Sequence, residues 1–598
     1  MERFWNQEKI AVIVFALCLL AGLLMFRNYG ISWDESLIGI YANQSLDAYA
    51  DWGQKGVMKF EHAHLVHYGP FFMMVVEGAA RLFGGTPAQA ADLRHLMYFL
   101  VFFAGGVAFY SLARRWFDPL SALGASLLYL FQPVLWGHGF INPKDAPFMA
   151  LVVISMAAGL RMADAIHALP DGVRVFSFDR RVVFASLFWL VSVFALYLLT
   201  EPVRDWITAL VISAKGGGTN IFSLAASKLA DVPAQTYITR YFVLYLRIRF
   251  TYFLVSTAVL LVVWHRLQPQ LMRILSIVVL PALALGMASS TRVLGPFVGV
   301  IVALFLLRQR TKPAALAALI YAVIAVMFVH AAWPFLWMNP PGNYIESILT
   351  MSAFPWRGEV LFNGTLYAAT DLPLSYLPVL FAIQLTEPVW ILAVIGLGVS
   401  ALGAEKRSGL LVLFALWFVL PLSALTFRGS TIFDNFRHVL FTLPPVFLLA
   451  GAAFERISNV RVRAAVIVAC LLPGVIGIAS LHPYEYAYYN QFIGGMKGAQ
   501  GRFELEYWLT SYREAAEYVN ENASPYAAIW VQGPGHLFTP YARPDLIINS
   551  WSGYQPVDAY EFAVVSYRFD EGETSYPNTE IAHTIMRENT VLTVIKKP

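Results

Sequence analysis

Near the start of the chain, Ile10 to Phe26 reads IAVIVFALCLLAGLLMF, an apolar run without a charged residue, and Ser32-Trp33-Asp34-Glu35 follows shortly after it. The run is rich enough in Leu and Val to be mistaken for a signal peptide. No small-residue cleavage site follows it and many more apolar runs come after, so it reads as a first transmembrane helix. Working outward, the rest of the chain repeats the pattern of long apolar runs with short polar gaps. Three of those gaps read Asn142-Pro143-Lys144-Asp145, Ser290-Thr291-Arg292 and Asp434-Asn435-Phe436-Arg437-His438.

Composition agrees with a membrane protein. Of 598 residues, 58% are hydrophobic and 13% charged, and the mean hydropathy is +0.59. A soluble chain of that composition would expose too much apolar surface. The net charge is only +4, and with no Lys/Arg-rich tail nucleic acid is not an expected partner. Cys18 and Cys470 both lie inside apolar runs. That leaves no disulfide framework outside the membrane and no Cys-based zinc site.

Thirteen runs are read as spans: 9–27, 95–113, 118–133, 145–162, 182–200, 250–265, 274–290, 293–308, 313–331, 387–404, 408–427, 438–454 and 463–481. The stretch 70–83 carries Glu77 and reads as a juxtamembrane helix. With the N-terminus in the cytoplasm every inner connection is basic, including Arg114 and Arg115, Arg308 and Arg310, and Arg461 and Arg463. That is the positive-inside bias. The four polar clusters then fall at one outer face, together with loops 28–94, 201–249 and 332–386. Residues 1–481 form the transmembrane domain. Residues 482–598 lie outside as a small α/β domain, with a helix near 512–520 and strands near 527–532, 546–550, 562–567 and 591–595.

The candidate chemistry sits at that face. Asp34 is placed to act as a general base on a hydroxyl, although an Asp-Glu pair at a helix end also serves simply to mark the interface. Asp145 opens a span beside Lys144 and either caps the helix or faces a reaction cavity. Arg94 and His95, Arg292, and Arg437 and His438 stand at outer span ends, against the charge rule, and together with Lys144 suit an anion. Snorkelling to lipid headgroups is the plainer reading of each cation. Glu61, His62 and His64 lie in a segment of closely spaced histidines that suits a divalent metal, or else is a hydrogen-bonded polar loop.

These features resemble polytopic glycosyltransferases of the C superfamily (GT-C), family 39-like, the group with protein O-mannosyltransferases and the bacterial aminoarabinose transferase of lipid A. The Asp34-Glu35 pair is similar to the family's catalytic acidic motif after the first span. The stretch Lys59 to Tyr68 resembles the loop of the aminoarabinose transferase. Arg94 matches the family arginine that faces the lipid phosphate, and Asp145 a second acid opening the fourth span. Asp434 to His438 and His482-Pro483-Tyr484-Glu485-Tyr486 look like features of bacterial family-39 members.

The resemblance implies a polyprenyl-phosphate sugar donor and an acceptor hydroxyl on lipid, glycan or protein. Transfer would occur with inversion at the periplasmic face of a bacterial inner membrane, with Asp34 as base and Glu35 and Asp145 beside it. A divalent metal is the one cofactor suggested. The competing class is a lipid or polysaccharide transporter or flippase, which favours mid-membrane charges and paired repeats, neither evident here.

Overall fold

A computed structural model describes residues 2–55, 60, 61, 64–170, 179–216, 233–354, 356–550, 560–568, 576 and 579–598. Among these, nine helices are long and apolar enough to cross a membrane, or eleven when two bent pairs each count as one span. The chain is a multi-pass membrane protein. The count falls short of the expected thirteen in four places. The runs at 118–133 and 387–404 belong to the bent pairs, and Pro296–Leu307 and Pro444–Phe454 are short helices. Every residue of Pro444–Phe454 is buried, so its apolar sequence serves the bundle interior rather than a lipid face.

Proline explains the bends. Pro119–Leu130 and Pro133–Ile141 meet at 62°, and Tyr376–Gln384 and Glu387–Leu402 meet at 112°. Pro133 and Pro388 each open the second helix of their pair, where a missing N–H costs nothing. The two breaks satisfy each other: Gln132 Nε2 donates to Thr386 Oγ1 at 2.7 Å, and Thr386 N donates to Gln132 Oε1 at 3.0 Å. Irregular backbone within a bundle persists where neighbours supply such partners.

The Asp145–His167 helix is the central post, with 83% of its apolar window buried, against 6% for Arg180–Leu198 at the periphery. Gly396 allows Glu387–Leu402 to approach Pro444–Phe454, because a Cβ there would collide with the Leu449 carbonyl. The expected loop 201–249 is largely helical in its described part. It holds Thr200–Lys215 and the first half of Ala234–Leu267, a helix longer than the predicted span.

The expected juxtamembrane helix is Phe71–Phe83. In the segment 332–386, β1 (Glu359–Phe362) and β2 (Thr365–Ala368) form a hairpin. Asn363 and Gly364 turn it with positive φ, as a tight hairpin turn requires.

The C-terminal domain holds helix Tyr512–Asn522 and a five-stranded mixed sheet in the order β4-β3-β5-β7-β6. Its strands are β3 (Ala528–Val531), β4 (Ile547–Ser550), β5 (Phe562–Ser566), β6 (Glu580–Arg587) and β7 (Thr590–Lys597). The edge strand β6 was not expected, because its polar and charged residues weaken the apolar alternation. The domain seats on the first outer loop. Trp33 N donates to Trp508 O at 3.1 Å, and Gly30 is needed because a Cβ there would strike the Thr510 carbonyl.

Candidate active site

Helix Trp33–Lys55 carries Asp34 and Glu35 in its first turn. Glu35 Oε1 reaches back to accept from Ser32 N at 2.7 Å, which is half of a capping box. The Ser32 hydroxyl instead donates to Ile141 O at 2.6 Å. That bond ties the loop to the helix just before Asn142, so a neutral side-chain-to-backbone hydrogen bond joins the first and second polar clusters before any charge is considered.

The second cluster is shaped by Asn142. Its Oδ1 accepts from Lys144 N at 3.1 Å and Asp145 N at 2.7 Å, and its Nδ2 donates to Asp145 Oδ2 at 3.2 Å. This turn sets Lys144 and Asp145 on the inner side of the bundle. Lys144 Nζ lies 2.6 Å from Asp34 Oδ2. Arg437 Nη1 lies 2.8 Å from the same oxygen and 3.4 Å from Asp145 Oδ2, and its Nη2 lies 2.9 Å from Asp434. Arg292 pairs with Asp145. Four loops that are distant in sequence therefore meet in one charged network.

The network has an aromatic floor. Lys144 Nζ and Arg292 Cζ stand 5.0 and 5.7 Å from the Tyr68 ring centroid. Arg437 Cζ lies 4.9 Å from Phe433 and 4.8 Å from Trp508. His438 sits edge-on to Phe433 at 4.6 Å. Flat π faces hold cations without neutralising them.

The C-terminal domain contributes Arg568. It donates to Asp434 Oδ1 at 3.2 Å and to Tyr507 O at 2.6 Å, and lies 5.3 Å from the Trp33 ring centroid. Asp434 and Asn435 both have positive φ. Glu504 supports the turn, with Oε2 accepting from Asn435 N at 3.2 Å. Sequence reasoning gave no role to Tyr68, Asp434, Trp508, Glu504 or Arg568. The Asp434–Arg437 spacing was a usable signal. Nothing in the sequence links Arg568 to a gap between spans.

Asp34 is the most open of the three aspartates, its side chain 21% exposed against 1% for Asp145 and 10% for Asp434. Burial opposes its charge, but the Lys144 ammonium and the Arg437 guanidinium outweigh that and hold its carboxyl well below the usual range. Burial likewise works against the Arg437 charge, while Asp34, Asp434 and Asp145 keep it protonated. Glu504 is pushed up to about 7 by burial and then by the neighbouring Asp434 charge. Near neutrality it therefore adds only part of a negative charge.

Other expected residues lie elsewhere. Arg94 is not in this network. It clamps Glu77, Nε to Oε1 at 2.6 Å and Nη2 to Oε2 at 3.1 Å. His95 is fully buried and its Nε2 lies 3.3 Å from Glu35 Oε1. Glu35 thus faces the start of helix Pro87–Ala113 rather than Asp34's cations. Of the metal candidates, His62 lies outside the described residues, and Glu61 and His64 are exposed. His67, the third histidine of that stretch, is buried with Nδ1 3.2 Å from Ser347 Oγ. Among the described residues no group of three or more His, Cys, Asp or Glu side chains is placed to hold an ion.

No protein-family model matches the chain, and no curated protein matches its sequence. Among solved structures, ArnT from Cupriavidus metallidurans in the apo state is 13% identical, with 98% of this chain and 97% of that one covered, at a TM-score of 0.44. The same protein bound to undecaprenyl phosphate is 14% identical over 98% and 97%, at 0.42. The apo Archaeoglobus fulgidus oligosaccharyltransferase is 14% identical over 91% of this chain and 65% of that one, at 0.37. At these identities and scores the overlap carries no functional inference, and function has to be read from the side chains of the site.

Proposed function

We propose that the chain is a membrane glycosyltransferase. It takes a sugar from a polyprenyl-phosphate donor and transfers it, with inversion, to an acceptor hydroxyl at the periplasmic face of a bacterial inner membrane. The observation that carries this reading is Asp34, a partly exposed carboxylate whose Oδ2 is shared by Lys144 at 2.6 Å and Arg437 at 2.8 Å. A base and phosphate-binding cations then occupy one point at the end of an apolar bundle, where a lipid-borne phosphate would present its sugar. The basic inner loops support the siting.

In the resting site Asp34 is a weak base, because two cations stabilise its charge. A donor phosphate carries the same kind of charge and competes for Lys144 and Arg437. As they turn to the phosphate, Asp34 loses their stabilisation and becomes more basic. It then accepts the proton of the acceptor hydroxyl, whose oxygen forms a bond to the anomeric carbon. The bond between that carbon and the phosphate oxygen breaks, and the electron pair leaves with the polyprenyl phosphate. Lys144, Arg437 and Arg292 stabilise the added charge. Asp145 positions Arg292 and Arg437, and Glu35 and His95 hold the first turn that carries Asp34. His438 borders the phosphate position from its edge-on contact with Phe433. Arg94 orders the neighbouring helix through Glu77.

The test uses purified protein and labelled polyprenyl-phosphate sugars, with turnover and donor binding measured together. Asp34→Asn keeps the size and removes the charge. The expected outcome is a loss of transfer of about 10²–10⁴-fold with donor still bound. Wild-type turnover in that variant would remove Asp34 from the base position.

A further inference from the structure

Arg249 is a second cation that the Asp34 network does not use. It lies on helix Ala234–Leu267 and is only 6% exposed. Its Nη1 donates to Thr200 Oγ1 at 2.6 Å and its Cζ stands 4.2 Å from the Tyr197 ring centroid. No carboxylate pairs with it among the described residues. A buried arginine in a membrane protein without a counter-charge is costly unless something supplies one.

The plainer reading is that Arg249 caps the end of helix Arg180–Leu198, where a cation is favourable. Three carbonyls there each accept a hydrogen bond from another group. Ala195 O accepts from Leu199 N at 2.9 Å, Leu196 O from Tyr245 Oη at 2.6 Å, and Tyr197 O from Thr200 Oγ1 at 2.7 Å. The acceptor Arg249 finds at this helix end is the neutral Thr200 hydroxyl, which leaves its charge unmatched.

His330 supplies an independent sign. Its ring meets the Tyr197 ring edge-on at 5.2 Å. Its Nδ1 is buried and has no hydrogen-bond partner among the described residues. The imidazole can present a proton at that nitrogen. An arginine without a counter-charge and an imidazole nitrogen without a partner thus share one aromatic neighbour.

The level in the membrane fits as well. Tyr49 Oη donates to Ala331 O at 2.8 Å, and Trp337 Nε1 donates to His330 O at 2.7 Å. Tyrosine and tryptophan belts mark the headgroup level, which is where phosphate groups lie.

We propose that Arg249, His330, Thr200 and Tyr197 form a second anion site, separate from the Asp34 network, that takes a phosphate group. Arg249 provides the charge, His330 a proton donor, and Tyr197 the wall between them.

The test is retention of phosphatidylglycerol by the full chain in detergent, followed by native mass spectrometry. Diacylglycerol with the same acyl chains is the neutral comparison. A Lys144→Met background weakens anion binding at the Asp34 network, and every lipid comparison is made within that background. The expected result is preferential retention of phosphatidylglycerol, weakened about 10-fold or more by Arg249→Met. His330→Phe keeps the ring, removes both nitrogens and weakens retention less. Inorganic phosphate that competes identifies free phosphate as the ligand, and phosphate that does not compete identifies the lipid headgroup. Equal retention of the two lipids, or unchanged retention by folded Arg249→Met, overturns the proposal.

Discussion

Arg94 gives two donors to one carboxylate, that of Glu77, at 2.6 and 3.1 Å. Arg437 divides Nη1 between Asp34 and Asp145 and sends Nη2 to Asp434. In sequence the two look alike, each an arginine at a span end on the face where the charge rule disfavours it. The fold closes the first into a fork, a complete and self-sufficient pair. It leaves the second in a network where cations share oxygens and Asp34 remains partly open. A closed pair serves stability, whereas a shared oxygen can be given up to an incoming anion.

The comparison breaks most readily at Arg94. Glu77 is 5% exposed in its side chain, and Arg94→Met would leave its charge buried and unpaired. The expected cost is about 3 kcal/mol of stability, in the range for breaking a buried pair. It is read from chemical or thermal unfolding in detergent, with donor affinity in the folded fraction nearly unchanged. A variant with wild-type stability and weakened donor binding would place Arg94 with Arg437 after all.

Lys144→Met probes the other side. The variant keeps the length of the stem and its packing near Tyr68, and removes one of the two cations on Asp34. Loss of one charge-assisted contact corresponds to about 1.5–3 kcal/mol of donor binding, or about 10- to 100-fold in affinity. Unfolding should change less than in Arg94→Met, because Arg437 still pairs Asp34. Donor affinity equal to wild type would detach Lys144 from the phosphate position.

Much of this contrast was legible in the sequence, and the reason is topological. Apolar runs fix which gaps share a face, so Asp34, Lys144, Asp145, Arg292 and Arg437 could be grouped before any geometry was known. Pairing was not legible, because it depends on a helix phase that hydropathy does not report. Glu77 was visible as the acid of the 70–83 stretch, yet only the packing of Phe71–Phe83 on Pro87–Ala113 brings it to Arg94. The bends at Pro133 and Pro388 turned two expected spans into broken ones. Arg568 and Glu504 were least legible, since they arrive from the C-terminal sheet domain, whose docking is set by the Trp33–Trp508 backbone contact and the close approach at Gly30.

Glu504 gives an effect graded with pH, and its sign can be worked out. Burial and the Asp434 charge raise its carboxyl from 4.5 to about 7. Between those values the folded chain holds a proton that the unfolded chain has released. Stability therefore falls as pH rises through that window, by at most about 1.4 kcal/mol per pH unit for one proton. Below the window both states are protonated and the term vanishes. Above it the penalty is complete. Glu504→Gln mimics the protonated form at every pH. Its melting temperature should match wild type near the acid end and exceed it increasingly toward pH 7 and above. Comparing the two proteins in the same buffers cancels the titration of distant groups. A constant difference across the range would mean that Glu504 is charged throughout, as matched to its surroundings as Glu77 is to Arg94, and the Asp434 side of the network would then be closed rather than open.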